Sequence, residues 1–203
     1  MTKERIKSLM QEGFELTRKG DLFGAITKIE QLIKEFPDFP PGLCYLGDLY
    51  LQVGSPVLAI DPLEKAVAGD QQNAYSCFLL GCALGRTGNF SSAIHHLETA
   101  DRLKPDNSEI IRNLGWLKCM SGEVKEGRKL LSKSIKLDPK NSLAYNDLGV
   151  SYMFTNDMKL HLAEQWLLKA LKLDPGNKFI QDTWASFKEL SAPFKKSDRS
   201  KTD

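Results

Sequence analysis

The residues of this 203-residue chain best able to bind a metal or perform catalysis are its four cysteines and three histidines. Cys44, Cys77, Cys82 and Cys119 stand 33, 5 and 37 residues apart, so there is no C-x-x-C pair and no compact framework of the kind that staples small secreted domains. They read as buried or half-buried thiols of a reducing compartment. His95 and His96 are neighbours. On a helix adjacent side chains diverge by about 100°, whereas a helical zinc pair needs i, i+4 spacing, so the two read as solvated outer-face residues. His161 stands alone and reads the same way. No G-x-x-x-x-G-K-[ST] or G-x-G-x-x-G phosphate loop occurs. The expectation is no catalytic residue, no metal ligand and no cofactor.

Charge narrows the partners. Lys plus Arg is 28 and Asp plus Glu is 26, a net charge of +2, with 41% hydrophobic and 27% charged residues. This is the composition of a folded, nearly neutral chain, without the field that nucleic acid or an anionic membrane would require. The basic residues near the end, Lys188, Lys195, Lys196, Arg199 and Lys201, are diluted by Glu189, Asp198 and Asp203. Apolar runs fall short of the ~18 residues of a membrane span, and the mixed charge of Met1 to Lys7 is not a secretory signal. No membrane insertion and a cytoplasmic location are expected.

The elements that must position any site come from a repeat of 34 residues. Blocks beginning at Ile6, Pro40, Ala74, Ser108 and Ser142 place Gly13, Gly47, Gly81, Gly115 and Gly149 in the eighth column, and Gly20, Gly54, Gly88, Gly122 and Asn156 in the fifteenth. The twentieth column holds Ala25, Ala59, Ala93, Gly127 and, after a two-residue insertion within Phe154 to His161, Ala163. The twenty-fourth reads Ile29, Leu63, Leu97, Leu131 and Leu167. Pro37, Pro105, Pro139 and Pro175 close four of the units, with Asn73, Asn107, Asn141 and Asn177 starting the next element. A mid-helix glycine costs about 1 kcal/mol, so the eighth column implies close approach of two helices, toward the small residue of the twentieth column. Glycine at the fifteenth ends the first helix in a left-handed cap, and Asp21, Ser55 and Asn89 are N-cap types for the second. Each unit is a helix, a tight turn, a helix and a stop. Pro62, within the second helix of the second unit, predicts a kink or restart near Asp61.

These columns resemble the tetratricopeptide-repeat family, most fully at Leu43, Leu46, Gly47, Tyr50, Ala59, Leu63 and Ala66. The resemblance covers residues 6–177 and implies an all-α fold, a right-handed superhelical α-solenoid of antiparallel helix pairs. The expected organisation is one domain over 1–190, with repeats at 6–39, 40–73, 74–107, 108–141 and 142–177. Ile180, Trp184, Phe187 and Leu190 predict a capping helix over 178–190, followed by a polar, frayed tail over 191–203.

The resemblance also implies a site. In this family the first helices line a concave groove that binds peptides or helices of a partner, which makes the chain a non-catalytic adaptor or scaffold. Carried onto this sequence, the candidate groove residues are Phe14, Asp48, Tyr75, Phe78, Arg86, Arg112, Asn113, Trp116 and Phe154, an aromatic set with methionines beside it. Arg86 and Arg112 are placed to grip a carboxylate of the bound segment. The carboxylate clamp of heat-shock cochaperones is not matched: of its five positions only Asn113 fits. Cys44, Cys82 and Cys119 fall on or near the same surface, where a thiolate metal site or redox switch is the alternative to plain packing. The alternative function is self-association, a homodimer through the capping helix with Trp184, Phe187 and Phe194 at the contact.

Overall fold

The computed structural model describes residues 2–153 and 159–199. Among them every regular element is an α-helix: α1 Thr2–Arg18, α2 Leu22–Glu35, α3 Pro40–Gln52, α4 Pro56–Gly69, α5 Ala74–Arg86, α6 Phe90–Leu103, α7 Ser108–Met120, α8 Val124–Leu137, α9 Ser142–Ser151, α10 Leu160–Leu173 and α11 Lys178–Arg199. The odd and even helices through α10 are the first and second helices of the five repeats. The chain divides into two compact units, Met1–Pro105 and Asp106–Asp203. In the first, α1 pairs with α2, α3 with α4 and α5 with α6, and each second helix also packs on the next first helix. The same pattern joins α7 to α8, α8 to α9, α9 to α10 and α10 to α11 in the second.

Turn chemistry sets the helix ends. Gly20, Gly54, Gly88 and Gly122 all have positive φ, between 77° and 97°, which a side chain would strain. Asn73, Asn107, Asn141 and Asn177 each accept a backbone N–H of the helix they precede, a cap worth about 1 kcal/mol. Asp21 and Asn89 cap α2 and α6. Ser55 does not cap α4 with its side chain; Pro56, preset for the first helical turn, starts that helix instead.

The small and large columns meet in the core. Ala25, Ile29 and Leu32 of α2, Ala59, Leu63 and Ala66 of α4, Ala93, Leu97 and Ala100 of α6, and Ala163, Leu167 and Ala170 of α10 are all fully buried. In α8 the polar Ser134 fills the small column, and its hydroxyl donates to the Ser108 carbonyl at 2.8 Å, which removes the cost of burying it. The eighth-column glycines do permit close approach, to the twentieth-column residue as expected at Gly115 and, through the Ala93 carbonyl, at Gly81, while the nearest obstacle at the other seams is the branched residue of the twenty-fourth column. A methyl group at Gly13, Gly81 or Gly149 would fall within 2.7–2.8 Å of Ile29, Leu97 or Leu167, and at Gly47 it would strike Leu63, all in the twenty-fourth column. At Gly115 the obstacle is backbone: the Gly127 carbonyl at 2.9 Å and the Leu131 nitrogen at 3.0 Å.

Two further expectations are corrected. Helix α4 runs unbroken through Pro62, with no restart at Asp61. The proline is buried in the core, so the one backbone hydrogen bond it forgoes, to the Leu58 carbonyl, is set against the apolar contact its ring gains. Helix α11 does not stop at 190 but continues past Pro193 to Arg199. His161 lies in the first turn of α10, not in the insertion. Most of that insertion, with Phe154 and Asn156, lies outside the described residues.

Candidate functional site

In unit Met1–Pro105 the candidate residues sit on the three first helices. Phe14, 52% exposed, stacks obliquely on Tyr45 with ring centroids 4.5 Å apart. The Thr17 hydroxyl donates to the Gly13 carbonyl at 3.1 Å, so the Tyr45 hydroxyl is the donor in its 2.5 Å hydrogen bond to Thr17 Oγ1. Tyr75, also 52% exposed, donates its hydroxyl to Asp48 Oδ2 at 3.1 Å, and its ring lies 6.3 Å from that of Phe78 at an angle of 26°. Burial and the adjacent Asp48 charge push the Tyr75 phenol well above the usual tyrosine value. Arg86 is exposed, with Nη1 donating to the Leu51 carbonyl at 3.1 Å. Each tyrosine tip is satisfied inside the protein while ring area stays available to an incoming apolar group.

Unit Asp106–Asp203 uses the same repeat positions differently. Arg112 of α7 is only 13% exposed and forms two 2.6 Å contacts, Nη2 to Glu109 Oε1 and Nη1 to Asp147 Oδ2, and Asp147 is 8% exposed. Asn113 Nδ2 donates to the Glu109 carbonyl at 2.9 Å and to its Oε1 at 3.1 Å. Burial raises the Glu109 carboxyl, but the hydrogen bond and charge of Arg112, with help from Asn113, outweigh it and hold the group below its ordinary value. For the more deeply enclosed Asp147 burial wins over Arg112, and its value is raised. Arg112, expected to grip a carboxylate of a bound segment, is therefore already held by two carboxylates of its own chain. Trp116 lies half-buried on the same helix, and Phe154 is outside the described residues.

The sulfur chemistry does not converge. All four cysteines are free, and burial raises the Cys44, Cys77 and Cys119 thiols, Cys119 to about 11, which suppresses the reactive thiolate. Among the described residues no three His, Cys, Asp or Glu groups gather where they could hold a metal ion. Of the residues expected to mediate self-association, Phe187, 1% exposed, joins Met153, Ala163 and Leu167 in one cluster, half-buried Trp184 packs on it with rings 5.3 Å apart, and the Phe194 side chain lies outside the described residues. Sequence reading misses Arg128, which stands in a run of mixed surface charge. Its guanidinium lies 3.7 Å over the Tyr152 ring and donates to the Ser151 carbonyl at 2.6 Å, tying α8 to the end of α9. Nothing in its spacing marks it. His96 is half-buried rather than solvated.

Stacked helix pairs with Asn caps and glycine seams define a class, the helical-repeat proteins. Tetratricopeptide-repeat family profiles match residues 86–149 and 143–177. The chain belongs to the tetratricopeptide-repeat family. Over 147 residues it is 31% identical to the human protein O-mannosyl-transferase TMTC3, a match covering 70% of this chain and 16% of that protein. The chain thus spans about a sixth of the length of that relative. The crystal structure of MamA protein superposes with a TM-score of 0.70 at 27% identity, covering 85% of this chain and 93% of that one. A thermophilic TPR protein of Thermus thermophilus has a TM-score of 0.72 at 21% identity, covering 90% and 98%, and shows the shared fold. This fold serves generally as a protein–protein interaction module and is typically non-catalytic. No described helix is long and apolar enough to cross a membrane.

Proposed function

We propose that this chain is a non-catalytic adaptor or scaffold whose unit Met1–Pro105 binds an apolar segment of a partner protein on its first-helix face. The observation that carries this reading is the pair of half-exposed rings, Phe14 and Tyr75, with Phe78 beside Tyr75 and both tyrosine hydroxyls satisfied internally. Rigid rings with their polar tips already paired lose little entropy or hydration on contact, which is why such residues dominate interface energetics. Arg86 favours an acidic residue in the bound segment near the end of α5. Asn113 and Trp116 offer a second, more polar contact area in unit Asp106–Asp203. The transferase activity in one relative's name belongs to a protein about six times longer than the segment matched.

Selection from a random peptide library on the intact protein, followed by fluorescence anisotropy on the enriched peptide, tests the reading. Replacing Phe14, Tyr75 and Phe78 together by alanine is expected to weaken binding by at least about 30-fold, the scale of an interface hot spot. Tyr75→Phe, which keeps the ring, is expected to bind within about threefold of the parent, since only a peripheral hydrogen bond is lost. Undiminished affinity of the triple variant would refute the assignment.

A further inference from the structure

A separate feature lies between the second helices of the second and third repeats. Val67 of α4 and Leu103 of α6 wall a cleft of about 320 Å³, with buried Cys77 of α5 at its base. That is the lower end of the size range of small-molecule sites. The polar lining comes from residues able to donate hydrogen bonds: Gln71 and Gln72 in the turn after α4, and His95, His96, Thr99 and Arg102 of α6. His95, Thr99 and Arg102 follow one another at spacings of four and three, so they form one stripe along α6.

Thr99 sets the direction of the guanidinium. Its hydroxyl donates to the His95 carbonyl at 3.1 Å and accepts from Arg102 Nη2 at 3.0 Å. Among the described residues Arg102 forms no ion pair with a carboxylate, and neither imidazole has a hydrogen-bond partner. The two rings meet edge to face, 5.5 Å apart. Among the described residues no carboxylate lines the cleft. The acids that act on it from outside are Glu64, which pulls on His96, and Asp70, which acts on Cys77; both are exposed, and Asp70 Oδ1 already accepts from the Gln72 backbone N–H at 3.2 Å. A metal is the poorer fit, because no third ligand among the described residues accompanies the two divergent imidazoles.

We infer that this cleft binds a compact oxyanion carrying a small apolar body, a phosphate monoester or a carboxylic acid, with Arg102 and the two histidines as its donors. Arg102 supplies a fixed, permanently charged fork, the glutamine amides supply neutral donors, and Val67 and Leu103 cover the apolar part. Burial, followed by the neighbouring His95, keeps the His96 imidazole below its ordinary value, so an anion seated beside it stabilises the protonated ring. By linkage, binding strengthens as the His96 imidazole gains a proton, which the Glu64 charge also favours. The site is independent of the first-helix face, so either reading can fail without the other.

Proton NMR of the histidine Cε1–H signals in the intact protein tests it, with phenyl phosphate, benzoate and inorganic phosphate added separately at about pH 5.5 and about pH 8. Saturable shifts of His95 and His96, an upward move of the His96 titration and tighter binding at the lower pH are expected. Preference for phenyl phosphate identifies a phosphate ester as the ligand class, and preference for benzoate a carboxylate. Arg102→Gln, at an exposed position that leaves the fold intact, is expected to weaken binding about tenfold, while Arg18→Gln on α1 leaves it unchanged. Shifts that do not saturate with any of the three anions, or that are the same in Arg102→Gln, would overturn the proposal.

Discussion

Two sets of first helices, built on one repeat, put the same columns to opposite uses. In unit Met1–Pro105 the fifth, sixth and ninth positions supply Phe78, Tyr45, Phe14 and Asp48, and the outcome is ring area open to solvent over a modest hydrogen-bonded base. In unit Asp106–Asp203 the fifth and sixth positions supply Arg112, Asn113 and Asp147, and the outcome is an ion-paired cluster nearly closed to water. The contrast teaches that a repeat column specifies where a side chain stands but not whether it is available. Availability depends on what the neighbouring repeat places opposite, an aromatic ring in one unit and a counter-charge in the other.

The contrast can be broken most decisively at Asp147. Asp147→Ala leaves Arg112 mostly buried with Glu109 alone, and is expected to cost about 3–5 kcal/mol in urea unfolding, against less than about 1 kcal/mol for Phe14→Ala on the exposed face. Equal costs would abolish the distinction between the two faces. The glycine seams give the next effect. Gly115→Ala presses a methyl group onto the backbone of Gly127 and Leu131 and is expected to cost about 2–3 kcal/mol, whereas Gly13→Ala meets side-chain atoms alone, of Ile29 and at 3.4 Å of Tyr45, and should cost under about 1 kcal/mol, since alanine also favours the helix. Thermal unfolding of the two variants sharpens how differently the seams are packed.

The smallest effect is alkaline. Tyr45, Tyr50 and Tyr75 of the first unit have phenols raised by burial, Tyr50 to about 12 with Glu30 accepting its hydroxyl at 2.6 Å. A raised acid keeps its full stabilising contribution below the unfolded value near 10 and loses it as the pH climbs toward the folded value. Stability is expected to decline between about pH 10 and about pH 12, and Tyr50→Phe to flatten that decline in a denaturant titration. Glu109 acts in the opposite range. Its lowered carboxyl contributes above the ordinary glutamate value and loses that contribution on acidification, partly offset by Asp147, whose raised carboxyl favours the folded state as it takes up a proton.

Much of this was legible residue by residue. The asparagine caps and the positive-φ glycines act within a few residues of where they stand, and all the described members of both columns do what their types imply. Ser55 misleads because Pro56 beside it does the work of starting α4. Of the candidate groove residues, Phe14, Asp48, Tyr75 and Phe78 come together on one face, while Arg112 is taken up by Asp147, 35 positions away. A pattern of column types carries no signal for that pairing, since Asp147 occupies a column filled elsewhere by Gln11, Tyr45, Leu79 and Asn113. The cleft at His95 and His96 was invisible for a similar reason: its other wall comes from the preceding repeat.

The amino-acid sequence by itself determined the period, the number of helix pairs, their starts and their stops, because turn and cap geometry depends on contacts within about four residues. Tertiary structure alone decided which side chains remain open to a partner. It set the branched residues of the twenty-fourth column against the seam glycines, kept α4 continuous through Pro62, turned the apolar face of α11 inward, and neutralised Arg112. Each of those outcomes depends on groups that arrive from another helix, and burial and charge take their value only when both partners are in place.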